Sequence, residues 1–348
     1  MSYTNGLDKP TDYFNTKLYT GNGSTQSITG VGFQPDWVWI KERSSTSSHA
    51  LFDAIRGATI KLSSNNTDAD NTSTADLTSF DSDGFTNGDS GAVNESGQTY
   101  ASWNWLASNT TASNTDGSIT STVSANTTSG FSIVSYTGNG SAGATIGHGL
   151  GGVVPNVIIA KKLNNTSNWS VYHSGIGNFA KTLSLNTTSG TTTDSGVWDN
   201  VPTSSTFLVG SDNTTNANGD NYIAYCFAEK KGFSKFGSYT GNGSTDGTFI
   251  YTGFKIAFYL WKRIDSAGEW FIVDNKRDTE NITEVSLKPN TSEAESIGNG
   301  YNGVDFLSNG VKVRQANSDI NNSSGTYIYM AFAENPFVTS TGIPTTAR

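Results

Sequence analysis

The phrase YTGNGS stands at 19–24, again at 136–141 and again at 239–244. An internal repeat is the first thing to settle, because missing one miscalls the whole fold. After each copy comes an apolar run that ends in basic residues: GFQPDWVWIKER (32–43), VVPNVIIAKK (153–162) and GFKIAFYLWKR (253–263). Eight residues beyond Lys41, Lys161 and Lys262 stand His49, Trp169 and Trp270, which open HALFD, WSVYH and WFIVD. The copies close on TYASWNWLA (99–107), NYIAYCFAE (221–229) and TYIYMAFAE (326–334).

This spacing predicts three tandem units at 17–108, 130–229 and 234–335, with an N-terminal arm at 1–16 and a C-terminal tail at 336–348. The Ser/Thr/Asn-rich stretch 109–129 reads as a linker. KKGFSK (230–235) is a shorter join, so units two and three are expected to pack more closely than one and two. Inside a unit, apolar runs of four to eight residues rich in Val, Ile, Tyr, Phe and Trp alternate with Gly/Asn/Asp/Ser clusters. These are strand signals, and no stretch sustains a helical period over three turns. The fold class expected is all-β: three tandem jelly-roll or lectin-like β-sandwich repeats. YTGNGS itself reads as a strand end entering a tight Asn-Gly hairpin.

Composition narrows the partners. Only 15% of residues are charged, against roughly 25% in ordinary globular proteins. The net charge of −9 offers no electrostatic basis for wrapping nucleic acid. The single Cys226 excludes an internal disulfide framework, and no segment has the length of an apolar membrane span or a secretory h-region. Release from a cell is therefore expected to go by lysis.

Comparing the copies sorts the candidate residues. Trp37 and Trp39 correspond to Val157 and Ile159, and Trp105 to Phe227 and Phe332. Positions that accept a ring or an aliphatic chain alike need volume, which makes Trp37, Trp39, Trp103 and Trp105 core rather than a sugar-stacking platform. The basic residues Lys41, Arg43, Lys161, Lys162, Lys262 and Arg263 follow the same strand in each copy. They read either as contacts to an acidic glycan or partner, or as solvated strand ends that discourage edge pairing, and the second reading is preferred. Carboxylate clusters at 65–76, 80–89 and 210–220 contain oxygen ligands of the kind Ca²⁺ takes, without the full D-x-[DN]-x-[DN]-G loop. His49, His148 and His173 are isolated, and no catalytic motif appears. Asp53 and Asp274 occupy equivalent positions that His173 fills in the middle copy. One acid per unit, lost in one copy, is a poor glycosidase pair, so no enzymatic activity and no cofactor is expected. Cys226 reads as a half-buried structural thiol.

YTGNGS, GFQPDWVWIKER and MAFAENPFVTSTGIPTTAR (330–348) together resemble a family of repeat domains in structural proteins of tailed, mainly marine, bacteriophages. The resemblance covers nearly the whole chain and brings no catalytic residues with it. It implies a virion protein assembled in the host cytoplasm, a knob or fibre-type component of tail or head. The partners it implies are other virion proteins, further copies of the chain and host-surface glycan. A capsid decoration protein and a free lectin are the alternatives, and a polysaccharide depolymerase the remotest. The arm and the tail are expected to dock the protein onto a larger assembly.

Overall fold

Each of the runs WVWIKE, VIIAKK and FKIAFYLWKR forms an interior strand of an antiparallel sheet, and the same four-strand order occurs three times, as the whole sheet in units one and three and as the middle of an eight-stranded sheet in unit two. The computed structural model describes residues 7–296 and 303–346. The chain is all-β, with antiparallel sheets packed face to face. In unit one the order across the sheet is Phe14–Thr20, Thr99–Trp105, Trp37–Glu42, Ala50–Asp53. In unit two it is Phe131–Thr137, Asn221–Phe227, Val157–Lys162, Ser170–His173, and in unit three Ser234–Thr240, Thr326–Pro336, Phe254–Arg263, Trp270–Asp274. The registers agree as well: Trp37 faces Trp105 and Asp53, Val157 faces Phe227 and His173, and Phe258 faces Phe332 and Asp274.

These runs are continuously apolar because both faces of each sheet are covered. Side chains alternate across a strand, so Val38 and Ile40 point to one core and Trp37 and Trp39 to another. On one face each sheet packs against a smaller one, made of Gln26–Thr29, Gly84–Asn87 and Leu77–Asp81 in unit one. Its counterparts are Ala144–Gly147 with Thr206–Val209, and Phe249–Tyr251 with Gly310–Val313 and Val304–Leu307. Each unit thus has a private core. On the other face, all three main sheets contribute to one common core. At its centre the equivalent residues Trp105, Phe227 and Phe332 form a triangle with ring centroids 5.7 to 6.3 Å apart.

Four expectations are corrected by the fold. First, YTGNGS is no hairpin turn. The strand before it pairs with the last strand of its unit, whereas the strand after it belongs to the smaller sheet, so the phrase is a corner between layers. The second glycine has φ of +71°, +71° and +68° in the three copies, while the Asn before it does not enter the left-handed region. Second, the linker 109–129 carries the strands Ala112–Asn114 and Ser121–Asn126, and the latter pairs with Phe131–Thr137 from Phe131 to Tyr136. Alternation explains this: Val123 points into the private core of unit two. Third, the arm begins to fold before residue 17, since Leu7 lies in the common core and the first strand starts at Phe14. Residues 1–6 and 347–348 of the arm and tail lie outside the described residues. Fourth, units one and two are joined as closely as two and three, by the bonds described below.

The added strand also explains a difference in composition. The edge strands Phe14–Thr20 and Ser234–Thr240 carry Lys17 and Lys235, and a charge in an edge strand discourages pairing with another chain. Phe131–Thr137 is covered and has no charge. Asn126 Nδ2 donates to the Ala107 carbonyl at 3.0 Å, so the two ends of the excursion lie together. Deleting 109–125 is expected to leave a folded chain with a bare, uncharged edge, which adds an association step in sedimentation velocity to whatever the parent chain shows. Separately, Phe332 touches Phe14, Trp105, Phe227 and Phe258 and is buried. Phe332→Ala is expected to cost about 3 to 5 kcal/mol in urea unfolding.

Candidate functional site

The side chains with chemistry in them gather where one unit meets the next. His49, Trp169 and Trp270 each reach a backbone carbonyl of the neighbouring unit: Lys288 at 3.0 Å, Ser63 at 2.9 Å and Ser184 at 3.0 Å. Around these contacts run two backbone bonds per interface. Ser47, Ser167 and Gly268 donate to Ser292, Thr67 and Thr188 at 2.8 to 2.9 Å. Glu295, Asp70 and Thr191 donate to Arg43, Leu163 and Ile264 at 2.8 to 2.9 Å. Unit one therefore holds unit three, unit two holds unit one, and unit three holds unit two, which closes a ring.

The basic residues are not solvated strand ends. Lys41, Lys161 and Lys262 are fully buried, and burial brings each ammonium down to about 8. Lys161 donates to the carbonyls of Thr67 and Ser167, and Lys262 to those of Thr188, Arg263 and Gly268, all within 3.1 Å. Lys41 donates to the Glu42 carbonyl at 2.5 Å. The ammonium groups thus satisfy carbonyls that the unit interfaces bury, a need that outweighs the desolvation of one charge. Arg43 makes two bonds to Glu295 of unit three at 2.8 and 2.9 Å. Lys162 pairs with Asp220, and Arg263 with Asp265. All six sequence-predicted contact residues are therefore engaged within the chain.

Asp53, His173 and Asp274 also meet the neighbouring unit. Asp53 Oδ2 accepts from the Tyr225 hydroxyl at 2.8 Å and Asp274 Oδ2 from the Trp103 indole at 3.0 Å. Each aspartate is bound by the arginine three residues on, Arg56 at 2.5 Å and Arg277 at 2.6 Å. In the remaining interface the donor position is Met330, which has no N–H or O–H to offer, and there His173 Nε2 bonds the Tyr329 carbonyl at 3.1 Å. The loss of the acid in copy two follows from the loss of its donor.

All three histidines are locked neutral. Nδ1 of His49 accepts from the Trp39 indole, that of His148 from the Leu150 amide and that of His173 from the Gly175 amide. The proton consequently sits on Nε2, which faces a carbonyl in each case. Burial pushes His49 down to about 3 and His173 to about 4. Cys226 is fully rather than half buried, and burial raises its thiol. Members of all three carboxylate clusters have partners within the chain: Asp76 pairs with Lys61 at 2.7 Å, Asp83 accepts from the amides of Gly30 and Gly32, and Asp212 caps the short helix Asn213–Asn216 by accepting from the Thr214 amide. Among the described residues no three His, Cys, Asp or Glu side chains converge as a metal-holding group.

The sequence reading missed one set of residues altogether. Asn94, Asn216 and Asn321 are buried, and the Nδ2 of each donates to the carbonyl of the serine that ends YTGNGS, at 2.5, 2.9 and 2.7 Å. Their Oδ1 atoms accept from the amide of the motif Asn at 2.9 to 3.0 Å. The motif tyrosine stacks on Tyr100, Tyr222 or Tyr327, and its first glycine leaves no room for a side chain, since a Cβ would stand 2.2 to 2.4 Å from a carbonyl oxygen. The signal was present: each of these asparagines stands six residues before the tyrosine of its closing phrase.

What these contacts define is an all-β protein closed into a ring of three sandwiches, its reactive-looking side chains acting as joints. The family model described as Domain of unknown function (DUF7483) matches residues 9–336, and the chain belongs to that family. No curated protein and no solved structure matches it.

The locked histidines set the acid limit of stability. In the unfolded chain a histidine takes its proton near 6.5, whereas folded His49 and His173 stay neutral down to about 3 and about 4. Below pH 6.5 the unfolded state thus binds more protons, and stability falls as pH falls, by about 1.4 kcal/mol per pH unit for each histidine. Burial also lowers His148, which adds to this loss, whereas it raises Asp36 to about 6 and lifts Glu42, Asp70 and Asp319, which work in the opposite direction and offset part of it. The urea midpoint is expected to drop between pH 6.5 and pH 4.5, and to drop less in His49→Gln than in the parent chain. A flat profile there contradicts the assignment.

Proposed function

We propose that the protein is a non-enzymatic structural component of a bacteriophage particle, a compact knob displayed at the surface of tail or head. The observation that carries this reading is the fate of its chemistry-bearing side chains. His49, His173, Asp53, Asp274, Lys161 and Lys262 are all consumed in closing the ring, and Lys41 is buried on the Glu42 carbonyl. What such a chain offers to the outside is a rigid, sparsely charged surface. The resemblance of YTGNGS, GFQPDWVWIKER and the C-terminal segment to phage structural repeats supports the same reading.

The two ends of the chain support attachment at one pole. Asp8 Oδ1 accepts from the Ser340 amide at 2.8 Å, so arm and tail meet. In this reading the N-terminal arm at that pole faces the particle's other proteins, and the rest of the surface, Tyr251 and Phe337 included, faces outward, toward host glycan. The protein is made in the host cytoplasm and leaves with the particle on lysis.

Antibody labelling of purified particles in electron microscopy, against particles lacking the gene, tests this. Label at discrete positions on tail or head is the expected result, with the tail favouring host attachment and the head favouring decoration. Particles without label would overturn the proposal.

A further inference from the structure

Two large aromatic side chains stand in the open on unit three, Phe249 at 43% and Tyr251 at 60% exposure. They flank the buried Ile250 on an edge strand of the smaller sheet. Registers identify their counterparts. Ile250 pairs with Val311, Ile28 with Phe85 and Ile146 with Phe207, each at the same place in its unit. Phe249 therefore corresponds to Ser27 and Thr145, and Tyr251 to Thr29 and Gly147. Two units build this sheet with small or polar residues there, so the fold does not need the rings.

Beside Tyr251 opens a cleft of about 280 Å³ whose walls include Glu229, Lys231, Lys235 and Phe337. Phe337 comes from the C-terminal segment, held by its amide to the Gly253 carbonyl at 3.2 Å, and is itself 37% exposed. Glu229 and Lys235 form an ion pair at 2.7 Å with each side chain about a third exposed, 34% and 35%. A mostly apolar cleft with a few polar groups at its rim is the usual form of a small-ligand site. Here the apolar part is aromatic and flat, and the polar part is a carboxylate next to an ammonium. A pyranose ring has matching parts: a face of C–H bonds to lie on the ring of Tyr251, and equatorial hydroxyls that donate to Glu229 and accept from Lys235.

We infer that the cleft between Tyr251 and Phe337 binds a pyranose unit of a glycan, and that unit three alone carries this site. The inference deepens the surface-display reading and rests on it for its purpose. Its test is separate, because unlabelled particles and a chain that binds no sugar are different failures.

The test is saturation-transfer NMR on the full chain with methyl α-D-glucopyranoside, methyl β-D-galactopyranoside, N-acetylglucosamine and glucuronic acid. Ring C–H protons of at least one probe should take up saturation. The signal should fall at least fivefold in the double substitution Phe249→Ser with Tyr251→Thr, which installs the residues of unit one. Phe337→Thr, which also lines the cleft, should give the same loss and serves if the double variant folds poorly. Absence of saturation in all four probes, or a signal unchanged by both variants, would overturn the inference. So would concentration-dependent self-association that the double substitution abolishes, since a second copy would then be what covers the rings.

Discussion

Each main sheet of this protein is apolar on both faces, and its own unit can cover only one of them. The smaller sheet of each unit closes the private core, which leaves Trp37, Trp39, Trp103 and Trp105, and their counterparts in the other units, facing inward with nothing local to meet. Burial of large aromatic side chains dominates core energetics, so the inward faces must find one another. Three of them do, around the triangle of Trp105, Phe227 and Phe332. In a linear repeat array each unit contacts only its neighbours and the ends need caps. Here the third unit returns to the first, and Arg43 reaches Glu295 across 252 positions of sequence.

Closing the ring buries backbone and charge that must be satisfied. Every interface solves this with the same two backbone bonds and one ring nitrogen aimed at a carbonyl. Variation among the copies is concerted. Asp53 with Arg56 receives Tyr225, and Asp274 with Arg277 receives Trp103, whose ring also lies under the Arg277 guanidinium at 5.5 Å. Where Met330 stands at the donor position, acid and arginine are both gone, replaced by His173 and Ile176. An aspartate kept there would be a buried charge without its partners, which is costly. The exchange is a matter of pairing.

Much of this was legible in the sequence because repetition supplies its own comparison. The strand runs, the equivalence of Asp53, His173 and Asp274, and the core role of the tryptophans all follow from lining up the three copies. The fate of Lys41, Lys161 and Lys262 was hidden, since a basic residue at a strand end looks solvated until the neighbouring unit is placed over it. The segment 109–129 looked like a linker because Ser and Thr dominate it, although Ile119 and Val123 enter a core. Asn94, Asn216 and Asn321 went unnoticed for a different reason. Polar turn residues are common in such a chain, and only the three-dimensional corner shows that these hold the YTGNGS phrase closed. The aromatic pair Phe249 and Tyr251 departs from the repeat at positions where exposure, invisible in sequence, decides its meaning.

The central claim is that three units share one core and so fold as one body. Differential scanning calorimetry measures this directly, by comparing the calorimetric enthalpy of unfolding with the van't Hoff enthalpy of the same transition. A single transition with the two enthalpies equal is the predicted result. Separate transitions, or a calorimetric enthalpy about three times the van't Hoff value as independently melting units would give, would contradict it.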